Sequence, residues 1–343
     1  MSVVVLGTNH KFSPIELREG ISFSRKGLRQ ALLLLKENPV LKGAVILSTC
    51  NRVEVYANVS DADWCKGSLK SFLANYKEID LSTLEPHLYT YIGKEAVSHL
   101  FTVAAGLDSR IIGEYQILEQ VIFVFDEAKK AGCLDNILRD LFDRALKTSE
   151  KVRKETGIGK GDASIGAVAV NLIKDKVDCL EGKKILIIGV GKVSELLIAQ
   201  LKDQKASMIF VSNRTFEKAK ELAEGAGAFA IKFELLKEKL QEADIIISTT
   251  SSPHFILKKE DLLNILRKPL LIVDLAVPRD IDPRVKDIEG VELYCLDDLN
   301  FIIEEDSIGK EPEVRKALRI IEEEVDNLCN STGFLELERA QAL

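Results

Sequence analysis

The sequence predicts an α/β plus α+β architecture: an N-terminal domain on a largely antiparallel sheet, a second domain with a doubly wound parallel sheet, and a C-terminal spine helix. Three observations carry this. The first third reads as strand, helix, strand, strand and then helices, the order of an α+β domain. From about residue 182, short apolar strands alternate with helices of about ten residues, which makes a parallel sheet with crossover helices. From residue 299 the pattern is helical and acidic. The expected domains are 1–155, 156–298 and 299–343, in line with roughly 100–200 residues per domain for a 343-residue chain. With 46% apolar and 29% charged residues, a soluble globular protein is expected.

Each element rests on its pattern. Residues 3–6 and 43–49 are apolar strands, and 27–37 (GLRQALLLLKE) is a helix. Residues 53–59 alternate apolar and polar, the period of a half-buried strand. Residues 96–105, 116–130 and 135–155 read as helices. In the second domain, strands fall at 184–188, 207–212, 243–249 and 270–275, with helices at 194–202 and 215–224. The final stretch, 299–330, is helical with an interruption near 307–312, and Leu318, Ile321 and Val325 form an apolar stripe that needs cover.

Charge and cysteine usage narrow the function. The net charge is −7, and residues 300–343 hold 11 acids against 5 bases, so the rest of the chain is close to neutral. The balance argues against a broadly basic nucleic-acid-binding surface, but the body can still carry a local basic face. Residues 151–161 (KVRKETGIGKG), with Arg139, Arg144 and Lys147 before them, form either a phosphate-binding face or a solvated helix and linker. The start, MSVVVLGTNH, is not a signal peptide, and no run of about 18 apolar residues appears, so a cytoplasmic chain with no membrane partner is expected. The six cysteines form no CxxC pair; no metal site and no disulfide framework are expected.

Two segments carry chemistry. The stretch Gly189, Val190, Gly191, Lys192, Val193, Ser194 follows a buried strand and opens a helix. Glycines there allow a tight turn and close approach of backbone to a pyrophosphate, and the helix N-terminus attracts its charge, as in Rossmann-like domains. Ser194 stands where the fingerprint has its third glycine. Asn213, Arg214 and Thr215 end the second strand, where an NAD enzyme carries an acid about 20 residues past the glycines. An arginine there suits the 2′-phosphate of NADPH. Residues 248–252 (STTSS) are small enough to pass beneath a nicotinamide ribose. The second segment is ILSTCNRVEVY: Cys50 ends an apolar strand, and Arg52, two residues on, would favour its thiolate. The plain alternative is a buried cysteine acting as a small hydrophobe. A thiol with a nicotinamide cofactor suggests attack on an activated carboxyl, a thioester, and hydride reduction to an aldehyde.

Several segments together resemble the glutamyl-tRNA reductase family: STCNRVEVY, GLDSRIIGEYQILEQV (106–121), ASIGAVAV (163–170), GVGKVSELL (189–197), SNRT (212–215), DLAVPRDIDP (274–283) and DDL (297–299), in the family's order over about residues 3–325. The resemblance implies NADPH-dependent reduction of glutamyl-tRNA to glutamate-1-semialdehyde, the first step of five-carbon tetrapyrrole synthesis. It implies Cys50 as nucleophile, with Thr49, Asn51 and Arg52 lining the glutamyl pocket and Arg52 holding a carboxylate. Ser109, Glu114, Tyr115, Gln116 and Gln120 fall in the family's second substrate segment, and His99 at a position important for activity, as a general acid or a group that positions the ester. The downstream aminomutase is a candidate partner. The sequence departs from the family at Arg110, Glu119 and Ile122, and the short C-terminus puts the usual homodimer in doubt; a monomer or weak dimer is expected. Two alternatives remain open: a small-molecule NADP dehydrogenase of shikimate-dehydrogenase type, which leaves STCNR unexplained, and a non-catalytic regulatory relative.

Overall fold

The computed structural model describes residues 2–159, 164–177, 179–204, 206, 208–263, 269–299 and 310–331. They fall into two compact units, one within Met1–Gly161 and Ser307–Leu343, the other within Asp162–Asp306. None of the helices is long and apolar enough to cross a membrane, among the described residues.

The first unit is built on strands β1 (Ser2–Asn9), β2 (Leu41–Ser48), β3 (Arg52–Val59) and β4 (Tyr89–Ile92), in the order β2-β3-β1-β4. Every pairing is antiparallel. Helices α1 (Ile15–Ile21), α2 (Arg25–Lys36), α3 (Ala62–Lys77), α4 (Leu81–Leu84), α5 (Lys94–Ala104), α6 (Gln116–Lys130) and α7 (Asn136–Glu155) complete it. α2 begins where Ser24 accepts from the Gly27 amide, and α7 where Asp135 accepts from Leu138, the capping that short polar side chains supply. Asp135 also receives the Asn58 amide, tying α7 to β3.

The second unit holds β5 (Lys184–Ile188), β6 (Met208–Asn213), β7 (Phe229–Lys232), β8 (Ile245–Ser248), β9 (Leu270–Asp274) and β10 (Val291–Cys295), in the order β10-β9-β8-β5-β6-β7. All pairings are parallel. Helices α8 (Ile165–Lys176), α9 (Lys192–Asp203), α10 (Phe216–Ala226), α11 (Leu236–Leu240) and α12 (Lys259–Leu263) accompany it. The chain runs outward from β5 to β7, then returns beside β5 with β8. The strand order therefore reverses between β5 and β8, which is where such sheets bind ligands.

Of residues 299–343, expected as a separate region, Leu299 and 310–331 are described, and α13 (Glu311–Ser331) belongs to the first unit. Its apolar stripe is Ala317, Ile321, Val325 and Leu328, packed on α5 and α7. Leu318, expected in the stripe, is 44% exposed, because it points about 100° away from Ala317 around the helix. Lys94 pairs with Asp326 and Lys151 with Glu324, each at 2.7 Å, and the Gly157 amide donates to Glu313 at 2.6 Å.

One strand departs from expectation in a way that matters for the site. The alternation in β3 predicts a half-buried strand, yet all eight of its residues are buried. Its polar side, Arg52, Glu54, Tyr56 and Asn58, is sealed beneath other elements. That burial is tolerated because each charge has a partner: Arg52 Nη1 donates to Glu54 Oε1 at 2.9 Å, and the Tyr56 hydroxyl to Glu54 Oε2 at 2.6 Å. Removing one member of a buried pair leaves an uncompensated charge, so Glu54→Gln should cost about 3–5 kcal/mol of stability in urea unfolding. A loss below about 1 kcal/mol, the value of an exposed pair, would mean that the network is not a structural keystone. Burial alone would raise the Glu54 carboxyl, but Arg52 and His99 hold it far below the usual carboxylate range. Its contribution is therefore complete above the unfolded-state value of about 4.5 and is lost only in acid, as pH falls toward the native-state value.

Candidate active site

Cys50 sits at the tip of the β2–β3 hairpin. Ser48 pairs with Val53, and the Thr49 amide donates to the Arg52 carbonyl at 2.8 Å, closing a turn with Cys50 and Asn51 at its centre. Thr49 Oγ1 accepts from the Asn51 and Arg52 amides, both at 3.1 Å, so threonine builds the turn with its own hydroxyl. The His10 amide donates to the Asn51 carbonyl at 2.9 Å, anchoring the tip to the end of β1. Cys50 is partly exposed.

The expected effect of Arg52 on Cys50 is not what the geometry provides. Arg52 is 1% exposed and its guanidinium is spent: besides Glu54, Nη2 donates to the Asp108 carbonyl at 2.6 Å and to Asp108 Oδ2 at 3.0 Å. The cations that act on Cys50 are Arg110 and Arg18. Burial pushes the thiol up to about 11, Glu114 adds to that, and Arg110 and Arg18 pull against it. At neutral pH the resting group is a thiol.

Around the hairpin tip stands the loop 106–114. Gly113, at φ 83°, bonds its amide to the Gly106 carbonyl at 3.0 Å, and a Cβ there would lie 2.6 Å from the Gly159 nitrogen. Only glycine fits both demands. Arg153 fastens the same loop by donating to the Gly113 and Glu114 carbonyls at 2.8 Å, with its guanidinium over the Tyr115 ring. The loop presents Asp108 to Arg52 and carries the buried Ser109 and Arg110. Ser109 hydrogen-bonds Glu114, whose carboxyl is raised by burial against that bond and the pull of Arg52 and Arg153. Asp108 is held low: burial opposes, but Arg52 and Lys11 prevail. His10 is pushed down to about 3, by burial and then by Arg110 and Arg52, and is a neutral ring at ordinary pH.

His99, on α5, places Nε2 2.7 Å from Glu54 Oε1. Glu54 is ionised and can only accept, so Nε2 is the donor in this pair. The Tyr89 hydroxyl donates to the same Glu54 oxygen. His99 lines a cleft of about 540 Å³ with Tyr91, Lys94, Glu95, Ser98, Thr102 and Asp108. Of the second segment, Tyr115 is exposed at the start of α6, and Gln116 and Gln120 follow one turn apart. Asn51 Oδ1 and Gln116 Nε2 are among the buried side-chain atoms with no hydrogen-bond partner among the described residues.

The glycine loop of the second unit fits a dinucleotide. Gly189 has φ 118°, and a Cβ there would lie 2.6 Å from Thr249 Oγ1. Gly191 caps α9 without a side chain and has open space where a Cβ would stand, so the first amides of the helix stay available to an anion. Val190 and Lys192 flank it, and Val193 is partly buried. Ser194, fully buried, bonds Thr249 Oγ1 at 2.7 Å, so the hydroxyl fills the space a third glycine leaves. Arg214 is exposed and reaches Ser252 Oγ at 3.2 Å; Asn213 Nδ2 donates to the Thr215 carbonyl, and Thr215 precedes α10.

Sequence reasoning missed Glu54, Asp108 and Arg110. Glu54 lay in view, two residues from Arg52 and so on the same strand face, but alternation assigned that face to solvent. Of the basic segment, Lys151 and Arg153 are turned to internal partners and Arg144 to Asp140, while Arg139, Lys147 and Lys154 remain exposed. Residues 160–161 lie outside those described. Among the described residues, no group of three or more His, Cys, Asp or Glu is placed to hold a metal.

Comparison with known proteins agrees with both units. The model for the N-terminal domain of glutamyl-tRNA reductase matches residues 6–156, and that for shikimate/quinate 5-dehydrogenase matches residues 171–302. Glutamyl-tRNA reductases of Thermodesulfovibrio yellowstonii and Geotalea daltonii are 38% and 39% identical over 98% of the chain, which covers 81% and 79% of their lengths. The solved glutamyl-tRNA reductase from Methanopyrus kandleri is 34% identical, with a TM-score of 0.55 over 98% of this chain and 82% of that one. Identity of this order across both units, from the cysteine turn to the glycine loop, means that the chain belongs to the glutamyl-tRNA reductase family.

Proposed function

We propose that this enzyme reduces glutamyl-tRNA with NADPH to glutamate-1-semialdehyde through a thioester on Cys50, the entry to five-carbon tetrapyrrole synthesis. The observation that carries the reading is the partly buried tip of the β2–β3 hairpin: a cysteine held by its own turn, within the electrostatic reach of Glu114, Arg110 and Arg18. Cys50 gives up its proton, its sulfur bonds to the ester carbonyl carbon, and the tRNA hydroxyl leaves with a proton. A bound reduced nicotinamide supplies a hydride. The carbon–sulfur bond then breaks, the aldehyde departs, and the thiol is regenerated with a proton from solvent.

The other residues divide the work. Thr49 holds the turn. Asn51 Oδ1 and Gln116 Nε2 are unpartnered groups suited to the aminoacyl end, together with Ser109, Glu114, Tyr115 and Gln120. Arg52, locked by Glu54 and Asp108, fixes the turn and offers its charge to the substrate carboxylate at a distance rather than as a free clamp. His99, held by Glu54 through Nε2, would position the ester. Glycines 189 and 191, with Val190, Lys192, Val193 and Ser194, would hold the pyrophosphate. Asn213, Arg214 and Thr215 would receive the 2′-phosphate, where no acid competes for a ribose hydroxyl. Exposed Arg139, Lys147 and Lys154 are the remaining candidates for tRNA backbone contacts.

Cys50→Ser should lower aldehyde formation by at least about a thousandfold while leaving NADPH binding intact, since the nucleophile and the cofactor loop lie in different units. Near wild-type turnover in the serine variant would exclude the thioester. Arg214→Asp should cut the preference for NADPH over NADH by about 10- to 150-fold, the loss of about 1.5–3 kcal/mol of charged hydrogen bonding. Equal use of both cofactors by the unaltered enzyme would remove the basis for the assignment.

A further inference from the structure

Two buried carboxylates of the second unit have no part in the mechanism above. Asp274 ends β9, and Asp280 lies six residues on; both are 0% exposed. Burying acids at the edge of an apolar sheet is costly unless hydrogen bonds compensate. Their hydrogen bonds run in one direction. Asp274 Oδ2 accepts from the Asp280 and Ile281 amides at 3.0 and 2.9 Å, and Oδ1 from Ala276 at 3.1 Å, which fixes the loop that carries Asp280. The Asp280 carbonyl accepts from Ile256 and Leu257, at 2.6 and 3.1 Å. The Asp280 carboxylate then takes the Ser248 hydroxyl at 2.6 Å, the Thr250 amide at 2.9 Å and the Thr250 hydroxyl.

Ser248 and Thr250 bracket Thr249. That threonine is the wall of the glycine loop: its amide bonds the Ile188 carbonyl at 2.9 Å, its Oγ1 bonds Ser194, and it occupies the space that Gly189 leaves. A chain of contacts therefore runs from β9 through Asp274, Asp280 and the 248–250 segment to the loop between β5 and α9. By strand order, Arg214 lies on the β5–β6–β7 half and the 248–250 segment on the β8 half, and the two halves meet where Arg214 Nη2 donates to Ser252 Oγ at 3.2 Å. The two halves hold opposite ends of a dinucleotide, with the 2′-phosphate on the first and the nicotinamide on the second.

We infer that Asp280 is a positioning residue that sets the nicotinamide end of the cofactor site by clamping Ser248 and Thr250 around Thr249. This rests on the NADPH-dependent reading of the function. Its consequence is selective: phosphate contacts govern affinity, while the clamp governs hydride transfer, which depends steeply on placement.

The test compares the full-length chain with Asp280→Ala, Asp280→Asn and Thr250→Val. It uses three readings: NADPH affinity by fluorescence, acylation of Cys50 by glutamyl-tRNA without NADPH, and single-turnover reduction of the acyl group. Asp280→Ala should slow reduction by about 10- to 100-fold. NADPH affinity should stay within about threefold, with acylation unchanged. Asp280→Asn, which still offers one acceptor oxygen, should recover much of the rate, and Thr250→Val should lose less than the alanine variant. If Asp280→Ala fails to fold, the other two variants carry the comparison. Unchanged reduction in all the folded variants overturns the role of Asp280, as does a loss matched fold for fold by NADPH affinity. Absence of acylation or NADPH binding in the unaltered chain overturns the functional reading itself.

Discussion

The buried carboxylate of Glu54 is the constraint on which the first unit turns. It lies in a central strand covered on both faces, and four side chains converge on it: Arg52 at the start of its own strand, Tyr56 beside it, Tyr89 on β4 and His99 on α5. An isolated carboxylate there would be prohibitive, and a satisfied one locks its neighbours. Because Arg52 is also bound to Asp108, the network extends to the 106–114 loop. Cys50 is thus held between two fixed bodies, the hairpin and the loop. The cost in desolvation is repeated at Cys50, where burial pushes the thiol up to about 11.

The second unit solves a similar problem with different chemistry. At its glycine loop Thr249 packs into the space that Gly189 leaves, while Gly191 has open space beside it, as the proposed pyrophosphate site requires. The 248–250 segment is held from behind by a pair of acids rather than by an arginine. Asp274 is pushed up to about 8, by burial and then by Asp280, a penalty that three backbone amides partly offset. In both units the strained electrostatics lie beneath the groups that the proposed chemistry would use, which is where perturbed carboxyls gather in enzymes.

Much of this was legible from sequence because it is local. Strand–glycine–helix context defines the dinucleotide loop, and the absence of an acid after β6 is visible at Asn213, Arg214 and Thr215. Cys50 could be singled out because it ends a strand beside polar residues. What failed was long-range. Alternation in 53–59 cannot tell a solvated face from one sealed by distant helices, so Glu54 was hidden. Sequence proximity made Arg52 the activator of Cys50, whereas the cations that act on it are Arg18 and Arg110, from α1 and the 106–114 loop. Leu318 fell in an apparent stripe, but the buried face of α13 is centred on Ile321 and Val325. The partners that decide each case are far away in the chain.

The acyl-enzyme itself is the most direct object to measure. Glutamyl-tRNA carrying labelled glutamate is incubated with the enzyme without reduced cofactor, quenched in acid, and the labelled peptide is identified. Label on Cys50, released by hydroxylamine as expected for a thioester and chased to aldehyde on adding NADPH, is the predicted result. Label that stays on the tRNA, or a labelled site other than Cys50, would contradict the catalytic role of the hairpin tip.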